Sequence, residues 1–544
     1  MSTSELTTNL IHRINVGDSL TRSAARQPRA IAVVDGDRRF TYAEFNSRVN
    51  QFANALAAQN YARGDALALA SGNSVEFLIT YYACAKLGVV CVPINLGWRP
   101  SEVAYVLGHS RSRGMVIEAQ LIDAMTPAID ESPGVAELIV ARGTTEGTVV
   151  ARLDRRQITF EEFTAIASER EPEYYVDDRD PITYLYTSGT TSFPKGVVGN
   201  HTAIYLESMA VALEAQLNAA DRFAAVMPMF HTAQLNGQCT PALMVGAQIY
   251  IERGFGASRL LELIEAEKIT QIFGLPMMYR EMLNHPDIAS LDLSSLRRAL
   301  YAMAPMPEAQ LRRCIEVFDC DFCLFFGQTE MSPVTTIFRP EHQLSHNGAV
   351  GTPVVNVQVA IMDDSGNFIP QGEMGEIVYR GPHAMTEYLR DPGATEAAFT
   401  HGWFHSGDVG HFDKDGILWF ADRDKDVIKT GGENVASIEV ERAIYAADSN
   451  VSEVIVVGLP HQRWSEAITA IVVARPGAAI DEKGLIEKVK RLIDPYKAPK
   501  AVIVLDELPR TSTGKIQKHV VRENLRHYYD EAKPQESSSS GTVT

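Results

Sequence analysis

Short apolar runs alternate with segments of helical length in the first half of this chain, and that rhythm admits few folds. Ala66-Leu67-Ala68-Leu69-Ala70 is followed by the helical stretch from Ser74 to Leu87 and then by a second apolar run from Val89 to Pro93. Two strand-length runs joined by a helix-length crossover are the unit of a parallel sheet, because a parallel neighbour cannot be reached through a tight turn. The pattern returns with Phe223 to Pro228, Ala242 to Gly246 and Gln248 to Glu252. Further on, Gln358 to Met362 and Glu376 to Arg380 are separated by Asp363-Asp364-Ser365-Gly366-Asn367, which predicts a smaller β-rich section ending near Phe420. After Arg423, the runs Glu453 to Val457 and Ile468 to Val473, with helices predicted over Ser437 to Ala446 and Asp481 to Leu492, predict a compact α+β domain. The expected fold class is α/β: a large N-terminal domain of parallel α/β layers with a β-rich subdomain, then a small α+β C-terminal domain.

Composition narrows the function classes. With 544 residues, 45% of them hydrophobic and 22% charged, the chain can bury more than one core. No apolar run approaches bilayer length, and Met1 to Asn15 mixes Ser, Thr, Glu, His and Arg without a signal-peptide core, so a cytoplasmic location without a transmembrane segment is expected. A net charge of −18 disfavours a broad nucleic-acid surface, so nucleic acid is not expected as a partner. Six cysteines in so long a chain make no disulfide framework. Cys320 and Cys323 form a C-x-x-C followed by Leu324-Phe325-Phe326, and are expected to be buried strand residues rather than a zinc or redox pair. The polar tail from Lys533, with four serines before Gly541, is predicted to be disordered.

The chemistry concentrates in Tyr186 to Gly196, Tyr-Thr-Ser-Gly-Thr-Thr-Ser-Phe-Pro-Lys-Gly. Thr187, Ser188, Thr190 and Thr191 supply hydroxyl donors, Gly189 and Gly196 free the backbone to aim N–H groups at an anion, and Lys195 adds charge. An ordinary polar surface loop shares this composition. A Walker A loop does not share the spacing, because Pro194 and Gly196 flank Lys195 where that motif needs a glycine and a hydroxyl residue.

Three distant segments accompany the loop: Phe325-Phe326-Gly327-Gln328-Thr329-Glu330, Trp403-Phe404-His405-Ser406-Gly407-Asp408, and Pro509-Arg510-Thr511-Ser512-Thr513-Gly514-Lys515. With Arg423-Asp424-Lys425-Asp426, their order and spacing resemble the AMP-forming adenylating enzymes, in the acyl-CoA synthetase branch, over nearly the whole chain. The chain departs from the family at Ser192 and around Ala302, Met303, Ala304 and Pro305, where glycine is usual.

The resemblance implies a two-step reaction. A carboxylate attacks the α-phosphorus of ATP to give an acyl-adenylate and pyrophosphate, and the thiol of CoA then displaces AMP. By the same resemblance, Thr187, Ser188, Gly189, Thr190, Thr191 and Lys195 hold the phosphates, Glu330 holds Mg²⁺ and Thr329 faces the α-phosphate. Ala302, Met303, Phe326, Gly327 and Gln328 line the adenine side, and Asp408 and Arg423 meet the ribose and phosphate. Lys515 would bridge the attacking carboxylate and the phosphate during adenylation. The implied domain limits are 1–423 for the AMP-binding domain, 424–427 for a hinge at Lys425, 428–532 for a mobile C-terminal lid and 533–544 for the tail. Rotation of the lid would bring Gly431, Gly432, Glu433 and Arg463 to the CoA path.

For the acid, Tyr205, His231, Met303 and Met331 are the expected pocket residues, with Met306 nearby. His231 stands where amino-acid adenylation domains carry an aspartate for the substrate ammonium, which disfavours an α-amino acid. Adaptable methionine walls favour a medium- or long-chain fatty acid, with an aryl or alicyclic acid as competitor. A carnitine-like acid stays open, though no cation-binding carboxylate is evident. The expected partners are therefore a carboxylic acid, ATP and CoA; a homodimer is compatible with this reading. A noncatalytic acyl- or nucleotide-binding protein is the alternative outside the enzyme class.

Overall fold

The computed structural model describes residues 3–143, 155–187, 193–304, 306–423, 426–431, 433–511 and 516–531. The chain divides into two compact units: a larger one of Met1–Ala360, Val378–Ser406 and Asp413–Leu418, and a smaller one of Ile361–Ile377, Gly407–Phe412 and Trp419–Thr544.

The larger unit carries two sheets. In the seven-stranded sheet the order is Arg156–Thr159, Glu137–Ala141, Ser112–Glu118, Ala66–Ala70, Val90–Pro93, Pro181–Thr187 and Lys195–Asn200. All neighbours are parallel except the last pair, which is antiparallel. The predicted unit is here as read: Ala66–Ala70 pairs with Val90–Pro93 through the helix Val75–Leu87. Ser74 caps that helix by accepting from the Phe77 N–H, and Gly88 ends it at φ 75, a left-handed conformation glycine adopts without strain. Every residue of the helix is buried, which explains why its sequence shows no polar face.

The nine-stranded sheet runs Thr352–Pro353, Val334–Phe338, Asp321–Gly327, Arg298–Tyr301, Gln271–Gly274, Arg222–Ala225, Gln248–Ile251, Ile31–Asp35 and Arg38–Thr41. Its six strands from Asp321–Gly327 to Ile31–Asp35 are parallel. The run expected over Phe223 to Pro228 leaves the sheet at Ala225, and the helical segments between this strand and the next are Thr232–Gln234, the π-helical turn Leu235–Cys239 and Thr240–Val245. Cys323 is buried on its strand, but Cys320 is half-buried and precedes it, because Asp319 turns the chain at φ 45 before the strand starts. Burial pushes both thiols up to about 12, which suits inert residues rather than a redox pair.

Gln358–Met362, Gly375–Arg380, Phe404–Phe412 and Leu418–Arg423 form a four-stranded sheet in that order. The smaller unit is built on Glu433–Val435, Ile428–Thr430, Ser465–Ala474 and Val451–His461, with Ala501–Val504 added parallel to Ser465–Ala474. Side chains alternate along a strand, and here each face has its own core. Val454, Val456, Ile468, Ala470 and Val472 pack on one face with Val440 and Ile444, whereas Ile455, Val457, Leu459 and Ile471 pack on the other with Leu508 and Val521. Two covered faces account for the unbroken apolar runs that marked these strands in the sequence. The helix expected over Asp481 to Leu492 is Glu482–Val489, capped by Asp481.

Candidate active site

Parallel strands deliver their following residues to one edge of a sheet, and ligands of open α/β sheets gather there. In the nine-stranded sheet, Arg222–Ala225, Arg298–Tyr301 and Asp321–Gly327 run in the same direction. His231, Ala302 with Met303, and Gln328 to Glu330 therefore follow the carboxyl ends of parallel strands. Met303 sits at φ 69, the left-handed region that glycine usually fills, and its side chain is 37% exposed. Gly327 is obligatory for a different reason: a Cβ there would lie 1.9 Å from the Pro333 carbonyl oxygen. That close approach lets Gln328 donate its backbone N–H to Pro333 at 2.9 Å and closes the turn that presents Thr329 and Glu330.

Thr187 and Lys195 are direct cross-strand partners, as are Tyr186 and Gly196, so the ends of the hydroxyl-rich segment are pinned to one position. Ser188, Gly189, Thr190 and Thr191 lie outside the described residues. An aromatic group secures the flanks: Tyr105 stacks on Phe193 with centroids 4.5 Å apart, and His109 Nδ1 lies 2.8 Å from the Tyr186 hydroxyl. Burial is the largest influence on His109 and, with Arg390 beside it, lowers its pKa, favouring a neutral ring.

Tyr388 joins the two halves of the proposed phosphate site. Its hydroxyl donates to Glu330 Oε1 at 2.9 Å, while the Lys195 ammonium lies 4.9 Å from its ring centroid. The backbone around it is laced to both sides. Leu389 donates to the Gly196 carbonyl at 2.7 Å, and Met385 donates to the Glu330 carbonyl at 2.7 Å. Lys195 and Glu330, separated by 135 positions in the sequence, thus share one tyrosine. Sequence reasoning missed Tyr388, Tyr105 and His109, since none belongs to a hydroxyl-rich or glycine-rich motif.

The acid-pocket candidates are not all brought together. The Tyr205 ring lies 5.9 Å from the Arg22 guanidinium, on the side of its helix that meets the N-terminal helix Val16–Arg26. Met331 and Met306 are buried. His231 is half-buried and caps the following turn, its Nδ1 accepting from the Ala233 N–H at 3.2 Å.

In the smaller unit, Asp408 is buried on its strand and its Oδ1 lies 2.6 Å from Arg423 Nε, an ion pair rather than an aligned hydrogen bond. Two neighbouring acids are otherwise engaged. Asp422 Oδ2 accepts from the Ser437 N–H at 2.7 Å, and Asp426 pairs with Arg522 at 2.7 Å. Arg423 is therefore matched to Asp408 rather than to Asp422 or Asp426. Gly431, at φ 62, donates its N–H to the Trp464 carbonyl at 2.8 Å, and a Cβ on it would stand 3.3 Å from the indole. The Arg463 guanidinium lies 4.6 Å from that ring centroid and the Lys500 ammonium 5.3 Å. Trp464, with two cations near its ring, is a fourth residue the sequence reading passed over. Glu433 is exposed at the start of its strand; Lys425, Gly432 and Lys515 lie outside the described residues.

Residues 20–389 match the AMP-binding enzyme family, and residues 439–515 match the AMP-binding enzyme C-terminal domain. A feruloyl-CoA synthase from Amycolatopsis sp is 34% identical over 501 residues, covering 92% of this chain and 97% of that protein. The long-chain-fatty-acid–CoA ligase FadD13 of Mycobacterium tuberculosis is 35% identical over 514 residues, covering 94% and 98%. Among solved structures, the anthranilate CoA ligase AuaEII in complex with anthranoyl-AMP superposes with a TM-score of 0.87 at 26% identity, covering 95% of this chain and 98% of that one. The chain belongs to the AMP-binding enzyme family and, within it, to the adenylate-forming acyl-CoA ligases. Its reaction class is acyl-CoA ligation; the relatives span aromatic and aliphatic acids.

Proposed function

We propose that the protein activates an apolar carboxylic acid, a medium- or long-chain fatty acid, as its acyl-adenylate and then transfers the acyl group to CoA in the cytoplasm. The observation that carries this reading is the junction at Tyr388, where a phosphate-binding lysine and the carboxylate of Glu330 are held by one side chain. Both reactants of the first step are anions, so cations and dipoles must offset their repulsion before they reach contact. Lys195 and the hydroxyls of Thr187, Ser188, Thr190 and Thr191 take the phosphates, with Gly189 leaving the backbone open. Thr329 faces the α-phosphate, and Phe326, Gly327, Gln328, Ala302 and Met303 bound the adenine. Asp408 accepts from the ribose hydroxyls, and Arg423, already paired with it at 2.6 Å, holds that carboxylate oriented.

A hard divalent ion fits Glu330, because one carboxylate oxygen is fixed by Tyr388 and oxygen is the donor such an ion takes. When bound, Mg²⁺ would neutralise phosphate charge. Lys515 would bridge the attacking carboxylate and the α-phosphate. The domain limits we propose are 1–423, a hinge at 424–427 centred on Lys425, a lid at 428–532 and a tail at 533–544. After adenylation the lid would bring Gly431, Gly432, Glu433 and Arg463 to the thiol path. The close approach of Trp464 to Gly431 supports a narrow passage there.

Gly432→Leu is accordingly expected to keep acid-dependent ATP–pyrophosphate exchange within about 2-fold while thioester formation falls by about 100-fold, since a leucine would fill the pantetheine path without reaching the adenylation groups. Stopped assays of the two half-reactions would separate them; normal CoA turnover would remove the proposed passage.

Buried Met331 and Met306 support an adaptable apolar wall for the acid. The aromatic acids named for the feruloyl and anthranilate relatives favour a ring-bearing acid as the second reading. Incubation with ATP, Mg²⁺, CoA and a mixed acid panel, read by mass spectrometry, tests the reaction and the acid together. If the pocket is a straight channel, kcat/KM should rise about 4-fold per methylene, from ~0.8 kcal/mol for each buried CH₂, and then level off. A flat response to chain length beside strong use of a ring-bearing acid would replace the fatty-acid reading with the aromatic one.

A further inference from the structure

Glu207 lies on the helix His201–Glu214 and is 0% exposed, yet neither of its carboxylate oxygens makes a hydrogen bond among the described residues. Nor does any ion pair among those residues include it. The Val334 N–H is near enough to favour the ionised form but stands outside hydrogen-bond geometry. Buried carboxyl groups are ordinarily paired or fully hydrogen-bonded, and a leucine would fill the same space at no electrostatic cost. Burial pushes the Glu207 carboxyl well above the usual carboxylate range and so favours its neutral form.

The surroundings of Glu207 come from the segments that the proposed function assigns to the acid. Gly237, in the π-helical turn Leu235–Cys239 that follows His231, would place a Cβ 3.8 Å from Glu207 Oε1 and 3.3 Å from the Pro333 ring. Pro333 in turn follows Thr329, Glu330 and Met331. The next residue after Gly237 repeats the feature: Gln238 is buried, and its Oε1 has no donor among the described residues. Two acceptors without donors thus occupy neighbouring elements of the larger unit, one of them on the helix that continues from the strand bearing Lys195.

We propose that Glu207, with Gln238 on the neighbouring element, is a specificity-determining residue that accepts a hydrogen bond from a donor group, hydroxyl or ammonium, on the body of the acid remote from its reacting carboxylate. This rests on the acyl-CoA ligase reading and refines it: the preferred acid is an apolar frame with one donor rather than a plain hydrocarbon. A hydroxyl would donate to Glu207 and receive the proton of the neutral carboxyl in return. An ammonium would instead stabilise the carboxylate form, the carboxyl proton passing to solvent, and leave an ion pair. A site that holds unpaired polar groups rejects an analogue lacking the matching donor far more strongly than an apolar pocket rejects a missing methylene.

The test uses matched acids on the full-length protein: a straight-chain acid, its hydroxyl- and amino-bearing counterparts, and the same three versions of a phenylpropanoate. Each is measured as kcat/KM for CoA thioester formation with ATP and Mg²⁺. Wild type should favour one donor-bearing member over its unsubstituted parent by about 100-fold or more. E207L should bring that ratio to about 1 or invert it by raising activity on the unsubstituted acid, a gain that misfolding cannot produce. The nearly isosteric E207Q separates the arms: it should keep a hydroxyl preference within about 10-fold and lose an ammonium preference. If wild type uses plain acids best and E207Q leaves the profile unchanged, Glu207 is a core residue and the inference is overturned. If no acid yields AMP and a thioester, the ligase reading itself falls and takes this inference with it.

Discussion

Lys515→Ala is expected to lower acid-dependent release of AMP and pyrophosphate by at least about 10²–10³-fold, the scale on which a preorganised charge contributes to a transition state. The same variant, supplied with preformed acyl-adenylate and CoA, should form thioester at close to the wild-type rate, because the lysine is proposed to act only before the lid turns. Pre-steady-state assays of each half-reaction make the comparison. Equal loss in both, in a variant with an unchanged circular dichroism spectrum, would return Lys515 to the ordinary surface. Lys515→Arg is a useful companion, since a fork of donors cannot reproduce a point charge at the same depth.

A large effect on stability rather than on chemistry is expected from Lys86→Ala. The Lys86 side chain is 1% exposed, and its ammonium lies 2.8 Å from Thr21 Oγ1, 2.8 Å from Asn46 Oδ1, 2.7 Å from Asn50 Oδ1 and 2.7 Å from Glu171 Oε2. Removing it strands those acceptors and opens a cavity along the stem. The cost should be about 3 kcal/mol, at the lower end for breaking a buried pair because Glu171 can turn toward water. Guanidinium titration of the two proteins checks the value, and a loss below about 0.5 kcal/mol would mean that the acceptors rehydrate without penalty. The pH dependence gives a second readout. Burial acts to raise the pKa of Glu171, but Lys86 and its hydrogen bonds outweigh it and leave the folded value below the ordinary one. That contribution is complete above the unfolded carboxylate pKa and fades as pH falls through the lower folded value, so Lys86→Ala should flatten the acid limb of the stability curve.

Much of the fold was legible because its parallel units declare themselves locally. Ala66–Ala70, its capped helix and Val90–Pro93 each carry their own signal, and glycine marks the helix end. The site was legible where a residue must be of one kind. Gly327 admits no Cβ against Pro333, and the pairing of Asp408 with Arg423 joins two motif residues. What stayed hidden was chosen by tertiary neighbours. Tyr388 acquires its role only when a backbone bridge lays Val197 against it and the turn at Glu330 arrives from another strand. Tyr205 shows the converse: the family resemblance suggested it for the pocket, and no sequence signal announced that helical phase would lay its ring beside Arg22. Glu207, two residues later on the same helix and on a different face of it, reads in sequence as an ordinary surface acid.

The two-sided sheet of the smaller unit bears on how such an enzyme can diversify. From Val454 to Leu459 the apolar side chains alternate between two separate cores, Val454 and Val456 in one and Ile455, Val457 and Leu459 in the other, so none of these positions is spare. A change in the thiol acceptor would therefore have to be written at the ends of these strands, in the turn that carries Arg463 and Trp464, where a new side chain displaces water rather than a packed neighbour. Libraries confined to that turn should yield folded variants far more often than libraries of the same size spread along the strand, and directed evolution toward a different thiol has its natural starting point there.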